Sequence, residues 1–597
     1  MVVQSKHFLN SPPSLVLDAL RGLCVLNPHL AIDPANKVIH LANPDRSKVA
    51  LVCGGGSGHE PSHSAFVASS LAPAAVCGNV FASPSAGQVR RAIDLVTNDA
   101  GMCPLPPLTV DYTRNYTGDV LNFGLAKEQY AAFHPDKSDR VKFVIVGDDV
   151  AVGRKQGKIV GRRGLAGVCL VYKIAGALAA RGGSLEKVYA IAEYVSSRLG
   201  TIGVGLEHCH VPGTAEPDTH LGANELEIGL GIHNESGHRR VSPVPPLNEL
   251  IPDLVQMITS TADPDRSFVP FKNDGTDDVV LLVNNLGGLS ELELGAIIGE
   301  AKSALDKQGI KTMRVLAGPF MTSLNMPGFS LTLLLLPGTE SDDGISTDLI
   351  LSLLDDPTNA PGWRWSSKTE PKTVVETASL ASVNIVPPSS QSALRAPDAR
   401  SFESAVERAC KALLAAEGEI TDMDKIAGDG DCGLTLSAGA SGVLDVLKQG
   451  VITGGDVING MIAISKVAEE KMGGTSGALY SIFFSSLAQA LTRSSAAVAT
   501  TEVWCSALKT ALARLYTYTR ARPPSRTLID PLSAFVDVLP AGFDGAVKAV
   551  QDAAERTRDM EAKAGRSAYV GGDWLKEQKV PDPGAWGVKV IVEALAQ

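Results

Sequence analysis

Apolar positions along this chain change their spacing twice. Up to about residue 340, short β-rich runs alternate with longer stretches of helical spacing; examples are Val49 to Cys53, Val141 to Val146, Val279 to Val283 and Leu331 to Leu336. Strands alternating with helices predict α/β layers, because each sheet face needs a helix to cover it. Several runs end in glycine or aspartate turns, and the loops beyond strand ends are where such sheets hold ligands. Between about Thr369 and Arg400 the periodicity gives way to polar, proline-rich sequence including PPSSQSALRAPDARS, the composition of a solvated linker. Beyond it, Val406, Ala409, Cys410, Leu413 and Leu414 fall at i, i+3, i+4, i+7 and i+8, and Ser404 with Glu407 has capping-box spacing. Alanine-rich helical pattern continues through about 456–470, 475–492, 502–515 and 544–564. The reading is a first α/β domain over residues 1–345, a linker over 346–400 and an all-α second domain over 401–597.

Composition agrees with a multidomain globular chain. At 597 residues it exceeds what one hydrophobic core supports, and 44% hydrophobic residues supply material for several. A net charge of −11 leaves no basic surface to release counterions from a phosphate backbone, which excludes nucleic-acid partners. Nine cysteines without a C-x-x-C pair read as reduced thiols. The opening MVVQSKHFLNSPPS has no basic start followed by an apolar core, no stretch reaches the roughly 18 apolar residues of a membrane span, and ALAQ is no retention signal. A cytoplasmic protein without membrane partners is expected.

All 11 histidines lie at or before His238, so the second domain must work without imidazole. In the first domain, GGGSGHEP (Gly54 to Pro61) follows the strand VALVC. Its glycines expose backbone N–H groups that can approach a small polar ligand or a phosphate, and His59 stands beside any such ligand. The plain alternative is a structural turn. NYTGD (Asn115 to Asp119) reads as a Gly-Asp turn, its alternative being a carboxylate that closes the turn. In GLGIHNESG, Gly229 to Gly237, glycines make room beside His233, whose neutral imidazole can serve as nucleophile or base near pH 7. EHCHVPG, with His208, Cys209 and His210, invites a zinc reading, but no second pair stands at zinc-site spacing, and a structural turn is preferred.

Taken together, GGGSGHEP, NYTGD, VPGT and GIHNESG resemble, in order and spacing, the substrate-binding K domain of dihydroxyacetone kinases over roughly residues 1 to 345. The resemblance implies two α/β subdomains and a hemiaminal bond between His233 and the ketone carbon. It further implies that Gly56, Ser57, Gly58, His59, Arg114 and Asp119 surround the substrate, with Asp119 as general base and His59 as its hydrogen-bonding partner. Here Arg114 stands where many relatives carry lysine, and Asn234 and Ser236 replace a glycine and a proline.

The second domain offers carboxylates and glycines. DKIAGDGDCGLT places Asp424, Asp429 and Asp431 in a glycine-rich turn after the first helix, an oxygen-only cluster suited to a hard cation. Twelve residues from Asp424 or Asp429 stand Thr435 or Ala440, so the EF-hand glutamate is missing and magnesium shared with phosphates fits better. A solvated acidic turn is the alternative. KMGGTSGALY enters a helix whose N–H groups can face phosphate, whereas DPGAWG alone reads as a loop. These pieces resemble the L domain of the same kinases, an eight-helix barrel, over about 400 to 597. There the aspartates hold two Mg²⁺ ions on ATP. The matching nucleotide contacts are Cys432, Gly433, Leu434, Thr435, Thr475, Ser476, Thr527, Leu528, Arg566, Asp582, Pro583 and Gly584.

The resemblance therefore implies ATP-dependent phosphorylation of dihydroxyacetone and of glyceraldehyde; the two sites meet either through closure or across a homodimer, and the relatives dimerise by swapping the nucleotide domain. Two further readings are weighed: cleavage of FAD to a cyclic riboflavin phosphate, which needs the aspartates but not His233, and a ketone-sensing regulator, in which the aspartate trio would be eroded.

Overall fold

The computed structural model describes residues 5–96, 102–104, 114–135, 140–155, 161–215, 220–338, 344–372, 393–570 and 572–596, with backbone alone at 102–104, 114–117, 566, 569, 573 and 576. The chain forms two compact units, Met1–Glu376 and Thr377–Gln597.

In the first unit, β1 (Leu30–Asp33), β2 (Val38–Leu41), β3 (Ala50–Ser57), β4 (Ala74–Val80) and β5 (Met102–Pro104) make one sheet in the order β1-β2-β4-β3-β5. Strand β3 is parallel to β4 and β5, and β2 is antiparallel to β1 and β4. A second sheet takes β6 (Leu199–Gly205), β7 (Leu226–Ile228), β8 (Arg239–Val241), β9 (Asp278–Asn285), β10 (Lys311–Gly318) and β11 (Gly328–Leu335) in the order β10-β9-β11-β6-β7-β8. Two mixed sheets give the two expected α/β subdomains.

The helices are α1 (Leu15–Leu26), α2 (Ala86–Val96), α3 (Arg114–Phe133), α4 (Gly167–Ala180), α5 (Leu185–Ser197), α6 (Leu247–Thr259), α7 (Glu291–Lys307) and α8 (Thr347–Asp355). Helix α4 is buried at every position from Gly167 to Ala177, as an all-round apolar helix must be. It belongs to one apolar cluster with Leu51 and Cys53 of β3 and with Leu282, Leu316 and Leu334 of the second sheet, so one core joins both subdomains.

Four local expectations need correction. Val141 to Val146 joins neither named sheet; its alternating side chains instead reach two cores, Val141 in one and Val144 and Val146 in another. Gly118 and Asp119 lie within helix α3, not in a turn. The stretch from Gly54 to Ser57 is strand, so the turn opens only at Gly58. Residue 345 is too early an end for the first domain, because Ile350, Leu351, Leu353 and Leu354 of α8 are buried in its core.

The second unit is all-α among the described residues: α9 (Ala399–Ala415), α10 (Glu417–Ala427), α11 (Cys432–Lys448), α12 (Val457–Val467), α13 (Gly474–Thr492), α14 (Thr501–Tyr518), α15 (Ile529–Val538), α16 (Phe543–Arg556), α17 (Gly572–Gln578) and α18 (Pro583–Leu595). These helices surround an apolar cavity of about 510 Å³ lined by residues such as Phe402, Leu436, Phe483 and Leu487. Helix α9 is capped by Asp398, whose carboxylate accepts from the Ser401 N–H at 3.0 Å, so Ser404 is helix interior and caps nothing. Leu394 is already buried in this unit's core, before the expected start at 401.

Candidate active site

Strand β3 carries the chain to Gly58 and then His59. Gly58 has φ +101°, and a Cβ there would lie 2.7 Å from Cε1 of Phe81. A Cβ on Gly56 would lie 3.0 Å from the Ala82 nitrogen. These glycines thus admit the Phe81–Ala82 segment against β3, a packing role that the sequence reading had left open as the alternative.

His59 is buried, and its Nδ1 lies 2.8 Å from the carbonyl oxygen of Thr322. A carbonyl only accepts, so Nδ1 of His59 carries a proton. Its Nε2 lies 3.0 Å from Nε2 of His233. His233 sits in the turn after β7, where Asn234 has φ +65°, a backbone that asparagine tolerates better than most residues. The Asn234 side chain fastens that turn, accepting from the Cys209 N–H and donating to the Cys209 carbonyl, both at 2.9 Å.

Glu235 holds the other side of the imidazole. Its Oε1 is 3.0 Å from His233 Nδ1, and its Oε2 accepts the His233 backbone N–H at 2.9 Å. Burial pushes this carboxyl up, but the hydrogen bond and charge of His233, with the Arg163 guanidinium, outweigh it and bring the group to about 2. A carboxylate accepting at Nδ1 of His233 and a carbonyl accepting at Nδ1 of His59 leave one proton to lie between the two Nε2 atoms. Burial and then the neighbouring His233 hold His59 well below the usual histidine range.

Phe81 closes the constellation. Its ring stacks on His59 at 5.1 Å between centroids and meets His233 edge-to-face at 4.6 Å. Two residues on, the Ser83 hydroxyl hydrogen-bonds Asp119. Asp119 is 4% exposed, and its Oδ1 has no hydrogen-bond partner among the described residues. Burial raises its carboxyl well above the usual range, with Ser83 pulling the other way. The Arg114 side chain lies outside the described residues. Phe81, Ser83 and Thr322 escaped the sequence reading because each is far along the chain from the motif it serves. Glu235 was within a quoted motif, two residues from His233, and its spacing could have flagged it.

His208, Cys209 and His210 sit in other arrangements. His210 Nδ1 faces His7 Nε2 at 2.8 Å, and His208 lies 3.6 Å from the Glu207 carboxylate.

In the second unit, Asp424 occupies the last turn of α10, Asp429 the following turn, and Asp431 the residue before α11. The trio therefore spans the end of the unit's second helix and the turn beyond it, not a turn after its first. One oxygen of each carboxylate lies within 4.8 Å of the others. Asp424 Oδ2 accepts the N–H groups of Asp431 and Cys432 at 2.9 and 3.0 Å, which fixes the turn. Three converging hard-oxygen donors fit a divalent cation such as magnesium.

The other candidate nucleotide contacts gather at helix starts. Thr475 and Ser476 lie in the first turn of α13, entered through a π-helical turn over Ala468–Met472 and the positive-φ glycines Gly473 and Gly474. DPG is an N-cap rather than a plain loop: Asp582 Oδ1 accepts the Ala585 N–H at 2.9 Å, and Pro583 opens α18. Asp582 is buried, and burial pushes its carboxyl up to about 6. Its N–H donates to Thr557 Oγ1 at 2.8 Å, while the wholly buried Arg526 donates from Nε to the Thr557 carbonyl at 3.1 Å and from Nη2 to the Val580 carbonyl at 2.8 Å. Thr527 N–H donates to Asp530 at 2.9 Å. The RTL and DPG segments are thus tied through Thr557.

Cys432 marks where these pieces converge. Burial first, then the charges of Asp424, Asp582, Asp431 and Asp429, push its thiol up to about 12. At Gly433 a Cβ would lie 2.2 Å from the Glu417 carbonyl, so the glycine lets α10 and α11 touch. Leu434 and Thr435 lie in the first turn of α11, Leu434 exposed. Leu528 directly precedes α15, and Gly584 lies in the first turn of α18. The Arg566 side chain is outside the described residues.

Two family models cover most of the chain, the Dak1 domain over residues 21–362 and the DAK2 domain over residues 426–597. The chain belongs to the dihydroxyacetone kinase family. Among its relatives, the dihydroxyacetone kinase of Pichia angusta is 40% identical over 100% of this chain and 98% of its own length. The human triokinase/FMN cyclase is 37% identical over 99% of both chains. The solved structure of the dihydroxyacetone kinase of C. freundii in complex with AMP-PNP and Mg²⁺ matches with a TM-score of 0.63 at 30% identity, covering 99% of each chain. The Dak1 and DAK2 halves here share one polypeptide.

Proposed function

We propose that this chain transfers the γ-phosphoryl group of ATP to a hydroxymethyl group of dihydroxyacetone, and of glyceraldehyde, as a homodimer in the cytoplasm. The observation that carries this reading is the contact of His233 with Glu235 on one nitrogen and His59 on the other. When Nε2 of His233 bonds to the ketone carbon, the π pair of the carbonyl passes to its oxygen, which takes the proton released from between the two imidazoles. Glu235 balances the charge that stays on the alkylated ring. The hemiaminal selects short carbonyl compounds over glycerol and fixes the acceptor for transfer. Asp119, raised by burial, takes the proton of the attacking hydroxyl as the bond to phosphorus forms and ADP departs.

Asp424, Asp429 and Asp431 would hold two Mg²⁺ ions, which neutralise charge on the phosphates. The helix starts at Cys432 to Thr435, Thr475 to Ser476 and Asp582 to Gly584, with Thr527, Leu528 and Arg566, would surround the nucleotide. A second activity, cleavage of FAD to a cyclic riboflavin phosphate with release of AMP, is favoured by the likeness to triokinase/FMN cyclase and would need the aspartates and their metal but not His233.

The test is coupled ADP release with Mg-ATP and dihydroxyacetone, on wild type, His233→Ala and Asp429→Ala, with glycerol as control acceptor. Ketone-dependent turnover lost in the aspartate variant and strongly impaired in the histidine variant is expected. A folded wild type with no ketone-dependent turnover overturns the reading.

A further inference from the structure

Phe81 is an expensive residue to place where it stands. Its φ is +53°, in the left-handed region that a bulky side chain rarely occupies, and such strain persists only where surroundings enforce it. Those surroundings are the site itself: the Phe81 N–H donates to the Ser57 carbonyl at 2.9 Å, and Gly58 leaves free the volume that the ring fills. The ring is 8% exposed and touches both histidines, face-on to His59 and edge-to-face with His233. The two imidazoles in turn meet edge-to-face at 4.7 Å, so the three rings form a closed triangle.

We propose that Phe81 is a specificity-determining residue of the carbonyl site, limiting acceptors to those with a small substituent beside the carbonyl. The inference rests on His233 bonding to the ketone carbon. A carbonyl reaching Nε2 of His233 must enter where His59 now stands, and the Phe81 ring lies against both imidazoles at that point. A flat, apolar ring tolerates the CH₂ group of a triose and collides with longer or branched chains. The polar positions are held elsewhere, since Ser83 of the same segment bonds Asp119. One segment thus carries a wall for the carbon skeleton and a support for the carboxylate.

The experiment compares kcat/KM for dihydroxyacetone with that for 1,3-dihydroxy-2-butanone, which keeps both hydroxyls and adds one methyl on the far side of the ketone, in wild type, Phe81→Asn and Phe81→Leu. Asparagine tolerates the left-handed backbone and removes the ring; leucine stays apolar and is narrower in one dimension. A pocket wall discriminates one methyl group by about tenfold or more, so both variants should shift the ratio toward the larger ketone by about that factor. KM for ATP should stay unchanged. A merely structural role would lower kcat/KM for both acceptors together, and an unchanged ratio in both variants, with wild-type turnover intact, overturns the proposal. If wild type turns over neither ketone, or His233→Ala turns over dihydroxyacetone as wild type does, the underlying assignment of His233 fails and the role of Phe81 falls with it.

Discussion

Nε2 of His59 and Nε2 of His233 stand 3.0 Å apart, each ring with its Nδ1 already committed, one to the Thr322 carbonyl and the other to the Glu235 carboxylate. Neither ring can turn over without losing a partner, so the protonation pattern is built into the fold. Glu235 is the group that makes a charged pair tolerable in this buried place. Glu235→Gln keeps the size and removes the charge. A hydrogen bond to a charged group contributes roughly 1.5 to 3 kcal/mol, so kcat/KM for dihydroxyacetone should fall about tenfold to a hundredfold while KM for ATP is unchanged. Steady-state kinetics with both substrates varied checks this, and an unaltered ketone efficiency would remove Glu235 from the mechanism.

As the proposed general base, Asp119 should set the acid side of the pH profile. Its folded carboxyl is raised by burial, and only the ionised form accepts a proton, so turnover is lost as pH falls through that raised value. The acid limb of kcat should therefore lie well above the usual carboxylate range. Ser83→Ala removes the hydrogen bond that favours the ionised form and should move the limb to still higher pH. Asp119→Asn should abolish the limb and cut kcat by about 10² to 10⁴-fold. A limb that stays in place in Ser83→Ala would contradict the assignment.

The aspartates of the second unit should separate by stability. Asp424 accepts two backbone N–H groups, whereas Asp431 makes no side-chain cap at the start of α11. Asp424→Ala should destabilise the unit by about 1 to 3 kcal/mol, and Asp431→Ala by no more than about 0.5 kcal/mol. Both should abolish magnesium-dependent turnover. Thermal unfolding beside a magnesium titration of activity reads the two effects apart.

Arg526 is wholly buried and donates to the Thr557 and Val580 carbonyls near the Asp582 carboxylate. Arg526→Met takes the donor from the Val580 carbonyl, leaves the Thr557 carbonyl with only the Met560 N–H at 3.3 Å, and leaves one buried carboxyl without its neighbouring cation. Loss of about 3 to 5 kcal/mol in urea unfolding of the second unit is expected, together with a raised KM for ATP. A variant as stable as wild type would mean that the RTL and DPG segments are not held together in this way.

What the sequence by itself determined were the features written in short spans. Period-2 and period-3.6 spacing distinguished an α/β half from an all-α half, the proline-rich stretch separated them, and glycine-rich motifs marked His59, His233 and the aspartate trio. Local cues that depend on packing were misjudged. Gly118 and Asp119 read as a turn but continue a helix, Ser404 had capping spacing in a helix that begins earlier at Asp398, and Val141 to Val146 alternated like a strand while serving two cores. Only the tertiary structure decided which groups touch. Thr322 reaches His59 across 263 residues of chain, His233 across 174, and Phe81 arrives from the end of a neighbouring strand with no motif of its own. The reason is physical: hydrogen bonds and ring contacts are fixed by distances of a few ångströms in space, which sequence spacing does not encode once the chain has passed through a sheet and returned.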